Sequence, residues 1–170
     1  MNKLTLLHYQ LVLYGNERKT IKMGETYDFS GWATKNDLRC SDGRTIKRNA
    51  FLENDGQTVP LVWNHVHDDP GNVLGHALLA NRPEGVYAYC TFNDTDSGQN
   101  AKQLVMHGDV NLLSINANKL KHRGHDVIHG VIREVSLVLA GANPGAVIDF
   151  PVLSHNDEED DTEAIISIGY

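Results

Sequence analysis

The chain has 170 residues, of which 41% are hydrophobic and 22% are charged, and its formal net charge is −7. These proportions are ordinary for a globular protein, and they exclude a fully disordered chain, collagen and a coiled coil. No apolar stretch approaches the roughly 18 residues of a membrane helix, and the N-terminus lacks the cleavage site of a signal peptide. We therefore expect a soluble, intracellular protein with no membrane partner.

The charge is unevenly distributed along the chain. The segment Asp157–Glu163 holds six acidic residues, and no lysine or arginine follows Arg133. Without those six, 16 acidic residues face 15 basic ones, so the rest of the chain is nearly neutral. We predict one domain over residues 1–153 and an acidic, flexible tail over residues 154–170. A neutral body without a basic stripe argues against nucleic acid as a partner.

The first half of the chain is predicted to form strands, because short apolar and aromatic runs alternate with turn residues. The predicted strands are Leu4–Leu13, Thr26–Thr34, Val59–Trp63, Val73–Leu79 and Gly85–Phe92. The last two are expected to pair with each other. Gly31 predicts a bulge or a close backbone approach within its strand. Between the second and third strands, we expect a loop at Asp37–Arg44 and a short helix at Ile46–Leu52.

The second half begins with the signals of one amphipathic helix. Residues 94–97 supply N-cap candidates, apolar residues follow at positions 101, 104 and 105, and Gly108 suits the helix end. Strands are then predicted at Asn111–Ala117 and Val127–Leu139, with a turn at Lys119–Gly124, and a short helix or strand is predicted at Ala146–Val152. Six or seven strands and one helix predict a mainly β, α+β fold, as a barrel or sandwich with helical decoration.

Cysteines and histidines are the residues that could form disulfides or bind a metal ion. Cys40 and Cys90 are too few for a disulfide framework and are predicted to be buried free thiols. Two groups of three among the nine histidines are close enough in sequence to be candidate zinc ligands: His122, His125 and His129, and His65, His67 and His76. Basic neighbours would repel a cation from the first group, and no HExxH motif is present. We expect no cofactor, and a metal-dependent hydrolase is the weakest alternative.

Three residues have the chemistry of a nucleophilic site. His65 directly follows the apolar run Val59–Trp63, Ser114 lies between bulky apolar neighbours, and Glu134 lies within a long apolar strand where an unpaired carboxylate would be costly. Each also has a structural explanation: a surface histidine, a serine bonded to the backbone, and a buried ion pair with a lysine or arginine. The three residues together permit a catalytic triad, but their spacing alone does not establish one.

The chain resembles the HK97-type prohead maturation proteases of tailed phages over residues of about 30 to 148. Three segments carry most of this resemblance: Val59–His65, Leu112–Ile115 and Arg133–Val138. Further matches are found at Ser30–Ala33, Ile46–Phe51, Gly75, Gly85–Ala88 and Ala142–Ala146, and the isolated glycines among them are weak. The chain departs from the family pattern at Asn116, where a glycine is usual, and at Gly141, where the loop often has a proline.

The resemblance implies a small closed β-barrel of the herpesvirus-protease (assemblin) type, decorated by helices. It also implies a serine endopeptidase with Ser114 as the nucleophile and His65 as the general base. Glu134 lies in the matching segment and is the favoured third residue, while Asp126 and His129 remain competing candidates.

The family resemblance further implies a biological role. It predicts cleavage of the major capsid protein, the scaffold protein and the protease itself during procapsid maturation, inside the assembling procapsid in the host cytoplasm. A homo-oligomer, such as a dimer, is expected. The non-enzymatic alternative is a procapsid structural module that binds scaffold without turnover.

Overall fold

The computed structural model describes residues 9–14, 17–22 and 26–151. This part of the chain contains one α-helix, two short 3₁₀ helices and ten strands. The strands are β1 (Tyr9–Tyr14), β2 (Glu17–Lys22), β3 (Phe29–Lys35), β4 (Thr45–Ile46), β5 (Thr58–Trp63), β6 (Val73–Arg82), β7 (Gly85–Phe92), β8 (Leu112–Arg123), β9 (Asp126–Val138) and β10 (Ile148–Pro151). The helix α1 spans Asp96–Met106, and the 3₁₀ helices span Leu52–Asn54 and Pro70–Asn72. In the described ranges, no helix is both long and apolar enough to span a membrane.

Eight of the strands form one sheet, and β1 and β2 form a separate antiparallel pair. The order in the large sheet is β10-β3-β7-β6-β5-β9-β4, and β8 pairs with β9. Along one side of β9, β5 and β4 run parallel to it, and along its other side β8 runs antiparallel. The branching at β9 brings the end of β5 and the middle of β8 to the same stretch of β9.

The predicted fold class is confirmed, but the barrel is not closed by continuous strand pairing. Where a closed barrel would have a full ladder, Leu112 forms an isolated bridge to Val147. The N–H of Leu113 donates to the carbonyl of Ala146 over 2.9 Å at the same place. The start of β8 therefore contacts the segment just before β10 through a short bridge and not through a full strand pairing.

The helix predicted at Ile46–Leu52 is wrong. Ile46 ends β4, and turns lead from there to the 3₁₀ helix at Leu52. The backbone of this segment forms turn bonds between residues three apart, from Ala50 N–H to the Lys47 carbonyl and from Leu52 N–H to the Asn49 carbonyl. It also bonds to β9: Lys47 N–H donates to the Val127 carbonyl, and the Ala50 carbonyl accepts from Gly130. These tertiary hydrogen bonds replace the bonds between residues four apart that a helix would need.

The turn predicted at Lys119–Gly124 is also wrong, because β8 continues to Arg123. Lys119 has a φ of 51° and lies in a register shift between Asn118 and Lys121, so the polar stretch contains a bulge within a long hairpin. The chain reverses at Gly124, whose φ of 62° favours glycine. At Ala146–Val152, where helix or strand was predicted, the structure has β10.

The predicted helix is confirmed as α1. The Thr95 side chain caps its first turn by accepting a hydrogen bond from Gly98 N–H over 3.1 Å. Ala101 and Val105 are buried, and α1 contacts β6 and β7. Its N-cap and apolar spacing are local signals, which is why the helix is visible in the sequence.

The strands enclose a core whose largest fully buried apolar side chains include Phe29, Phe51, Leu61, Leu113 and Leu137. The close approach predicted at Gly31 is present, since a Cβ there would lie 2.4 Å from the Val147 carbonyl oxygen. The predicted strand Leu4–Leu13 lies partly outside the described residues, and the predicted acidic tail over residues 154–170 lies wholly outside them.

Both cysteines are free and buried, as predicted. Burial raises the pKa of Cys90, and burial together with the charge of Asp42 raises the pKa of Cys40. Because the thiolate is the reactive form, we expect both thiols in the native protein to react with iodoacetamide at pH 8 at least about tenfold more slowly than the unfolded chain does.

Intact mass measured over time, with and without denaturant, tests this expectation. Unfolding restores ordinary thiol pKa values of about 8.5. Above that pH the thiols ionise more readily in the unfolded state, so the free energy of unfolding should fall as the pH rises. A Cys40→Ser variant assigns the two rates to their residues. Rapid modification of Cys90 in the native protein would contradict its burial.

Candidate active site

The end of β5 places His65 by an abrupt change of backbone direction. Asn64 and His65, the two residues after the strand, have φ values of 47° and 58° in the left-handed region. The Asn64 N–H donates to the Leu137 carbonyl, and the His65 N–H donates to Ser136 Oγ, each over 3.0 Å. Left-handed conformations at residues other than glycine carry a cost, which hydrogen bonds to β9 offset here.

The register of β8 against β9 places Ser114 beside the same stretch. Ser114 is directly opposite Ser136, and Asn116 is opposite Glu134. Residues directly opposite each other in an antiparallel pair point to the same face, as do residues two apart on one strand. Ser114, Ser136 and Glu134 therefore share one face of the sheet, at the point where β5 ends.

The structure brings His65, Ser114 and Glu134 into one hydrogen-bonded chain. His65 Nδ1 lies 2.6 Å from Glu134 Oε1, and His65 Nε2 lies 2.9 Å from Ser114 Oγ. An ionised carboxylate only accepts hydrogen bonds, so Nδ1 carries the proton that is donated to Glu134. In the neutral imidazole this leaves Nε2 as an acceptor, able to receive the hydroxyl proton of Ser114.

Glu134 is 4% exposed, and both of its carboxylate oxygens have partners. Oε1 accepts from His65, and Oε2 accepts from Ser136 Oγ over 2.8 Å. His67 Nε2 lies 3.5 Å from the same Oε2, a contact that becomes an ion pair when His67 is protonated. The buried carboxylate is thus held by His65, just after β5, and by Ser136, on β9. Its nearest ionisable partners are histidines.

Ser136 is the member of this cluster that sequence reasoning missed. It is fully buried, and its hydroxyl links the His65 backbone to the Glu134 carboxylate. The signal was available, because Glu134 and Ser136 are two polar residues on the same face of an apolar strand. Their partner, the backbone of His65, was not readable from sequence.

The competing candidates on β9 lie elsewhere. Asp126 pairs in register with Arg123 and with Thr45, eight residues before Glu134, which corresponds to roughly 26 Å along an extended strand. His129 Nε2 lies 3.8 Å from Glu53 Oε1. The described residues contain no group of three or more His, Cys, Asp or Glu side chains arranged to hold a metal ion.

A cleft of about 400 Å³ opens beside Ser114 and His65. It continues along β8 past Asn116 and reaches the segment around β4 and the first 3₁₀ helix. Its apolar lining consists of Ala33, Ile46, Phe51, Ile115, Ala117, Leu120, Val127 and Ala142, and its other residues are Thr34, Cys40, Asp42, Arg44 and Asn143. The nucleophile and base candidates therefore face a concave space of the size that binding sites have, with apolar and polar residues in its lining.

The polar residues of this cleft are bonded to one another. Arg44 donates to Asp42 Oδ2 through Nε and Nη2, over 2.9 and 2.5 Å, and this contact lowers the pKa of Asp42. The Asn143 amide donates to Thr34 Oγ1 over 3.0 Å and lies 3.7 Å from Cys40 Sγ. Asn143 also bonds the backbone of Lys35, so the loop after β9 is fixed to β3.

Comparison with solved structures gives the class of the fold. The chain is similar to the KSHV protease, in a crystal structure with a hexapeptide phosphonate inhibitor, with a TM-score of 0.53 and 14% sequence identity. The likeness covers 70% of this chain and 62% of that chain, so the chain spans less than two thirds of that protein's length. At this identity the likeness concerns the fold, which is that of a herpesvirus protease.

The family is given by a match at the level of sequence. The family model for the caudovirus prohead serine proteases matches residues 16–161. Because the match includes most of the chain, the chain belongs to the caudovirus prohead serine protease family, and the predicted family resemblance is confirmed. No curated protein matches the sequence.

Proposed function

We propose that the chain is a serine endopeptidase in which Ser114 is the nucleophile, His65 the general base and Glu134 the residue that orients the imidazole. The observation that carries the proposal is the unbroken chain from Ser114 Oγ through the two ring nitrogens of His65 to Glu134 Oε1. Membership of a serine protease family supports it independently. Asn116, where the family usually has glycine, lines the same cleft.

The mechanism follows from the positions of the protons. His65 Nε2 takes the hydroxyl proton of Ser114 as Oγ attacks the scissile carbonyl carbon, and the bond to the amine then breaks as His65 returns that proton to the leaving nitrogen. This leaves an acyl-enzyme, an ester on Ser114 Oγ. Water then attacks the ester in the same way, with His65 taking a proton from the water and returning it to Ser114 Oγ. Glu134 keeps the proton on Nδ1 and stabilises the imidazolium in both halves. Ser136 holds the carboxylate while it does so.

The substrates proposed are the major capsid protein, the scaffold protein and the chain itself. Family membership supports a role in prohead maturation, and the proposed location of this cleavage is the assembling procapsid in the host cytoplasm. A homo-oligomer, such as a dimer, is part of the proposal. The domain is proposed to span residues 1–153, with residues 154–170 as a flexible acidic tail.

Co-expression with the capsid and scaffold proteins in the bacterial host tests the function. The wild-type chain should generate new N-termini in the scaffold and capsid proteins, mapped by mass spectrometry, and also in itself. The same cells producing Ser114→Ala should accumulate intact proteins, because an alanine leaves no hydroxyl for His65 to activate.

Two outcomes would contradict the proposal. Identical fragments with wild type and Ser114→Ala would assign cleavage to a host protease. Intact substrates in both, within particles that assemble normally, would favour the non-enzymatic module that binds scaffold without turnover.

A further inference from the structure

The cleft beside Ser114 has one face that belongs to the hydrophobic core. Ile46, Phe51 and Val127 line it and are themselves buried members of the core cluster. Ala117 and Leu120, which are partly buried, pack against that cluster and complete the apolar wall. An apolar group that fills the cleft would remove the remaining exposed apolar surface of this wall from water, which favours its binding.

The polar groups at the cleft offer little to a charged ligand. Both Arg44 contacts described above go to Asp42, so its positive charge is compensated at the rim. The Asn143 amide is used by Thr34 and Lys35. In the described residues, no buried side-chain nitrogen or oxygen lacks a hydrogen-bond partner. Asn116, which also lines the cleft, is neutral, so a charged side chain entering the cleft would lose its water without gaining an uncompensated opposite charge.

The position of the cleft indicates which substrate residue would enter it. Ser114 lines the cleft, and so do the next three residues of β8. In the mechanism above, the residue that supplies the scissile carbonyl becomes ester-linked to Ser114 Oγ. Its side chain is therefore held next to this wall.

We propose that the cleft from Ser114 to Leu120 is a specificity pocket for a large apolar side chain on the substrate residue that supplies the scissile carbonyl. This inference rests on the proposed function and adds the class of cleavage site. The volume of about 400 Å³ accommodates a leucine, methionine or phenylalanine side chain.

A series of peptidyl diphenyl phosphonates that differ only in the side chain next to phosphorus tests the pocket. In the reaction, Ser114 Oγ bonds to phosphorus and phenol leaves with the proton that His65 relays. The rate of mass increase at Ser114 should be at least about tenfold higher for phenylalanine- and leucine-type reagents than for aspartate- and lysine-type reagents.

Filling the pocket should remove this preference. In Ala117→Phe, labelling by the phenylalanine-type reagent should slow by at least about tenfold, and by less with the alanine-type reagent. Asn118→Phe is the matched control, because Asn118 is the exposed neighbour on β8 and does not line the cleft. Leu120→Ala enlarges the pocket and should shift the preference from leucine-type towards phenylalanine-type reagents. This variant tests the pocket even if Ala117→Phe does not fold.

A small alkyl fluorophosphonate without a peptide side chain separates the two proposals. If it fails to label Ser114 in the folded wild-type protein, the proposed function is wrong. If it labels Ser114 but the phosphonates react at equal rates, or charged side chains react fastest, only the pocket is wrong. Equal slowing in Ala117→Phe and Asn118→Phe would also overturn the pocket.

Discussion

Replacing Ser114 with alanine should lower the rate of peptide cleavage by about 10⁴- to 10⁶-fold while leaving the fold intact. The loss is large because His65 Nε2, 2.9 Å from Ser114 Oγ, would have no hydroxyl to deprotonate and no acyl-enzyme could form. The side chain is only partly buried, and its hydroxyl can be removed without leaving a large cavity. Initial rates with a peptide spanning a mapped cleavage site provide the measurement.

Ser97→Ala is the matched control for this experiment. Ser97 lies in the first turn of α1 and does not line the cleft, so its loss should change the rate by less than about threefold. Circular dichroism and thermal unfolding of both variants establish that they are folded. Retention of more than a few per cent of wild-type activity in purified Ser114→Ala would show that the nucleophile is another residue.

Glu134→Gln should lower the cleavage rate by about 10³- to 10⁴-fold with little change in KM. Glutamine has nearly the same shape, but its amide lacks the charge that stabilises the imidazolium and can present N–H to Nδ1, which favours the wrong tautomer of His65. Glutamine fills the same buried space, so no cavity forms and we expect the variant to remain folded. The rate constants and the unfolding midpoint are to be measured on the same preparations.

Two further variants assign the third residue. Asp126→Asn and His129→Gln change the other candidates on β9: Asp126 is opposite Arg123 in register, and His129 Nε2 lies 3.8 Å from Glu53 Oε1. Each should retain activity within about threefold of wild type, because neither residue lies at the His65 imidazole. A loss in either variant as large as that in Glu134→Gln, with the fold intact, would remove Glu134 from its proposed role.

Ser136 connects the two parts of the site, which are the turn after β5 and the strand β9. Its hydroxyl accepts from the His65 backbone and donates to Glu134, so the left-handed turn after β5 and the carboxylate on β9 are held by the same atom. A fully buried residue therefore holds both parts of the site in place. Such support keeps the histidine and the carboxylate at their observed separation without using a flexible loop.

Local patterns in the sequence determined much of the fold. The α1 helix, the strands β5 to β7 and the apolar strand β9 depend on capping, turn and periodicity signals that lie within a few residues of one another. The two wrong elements show the limit of such signals. At Ile46–Leu52 the backbone bonds to β9, and at Lys119–Gly124 a polar stretch with glycine is a bulge inside a long hairpin.

The sequence by itself also determined which residues have the chemistry of a site: a histidine after a buried strand, a serine between apolar residues and a carboxylate in an apolar strand. Only the tertiary structure decided that they meet, since 49 residues separate His65 from Ser114 and 69 separate His65 from Glu134. Their distances depend on the β8–β9 register and on the parallel pairing of β5 with β9. The β5–β9 pairing joins segments far apart in the chain, and the β8–β9 register depends on shifts inside the hairpin, so the local patterns used here did not give either of them.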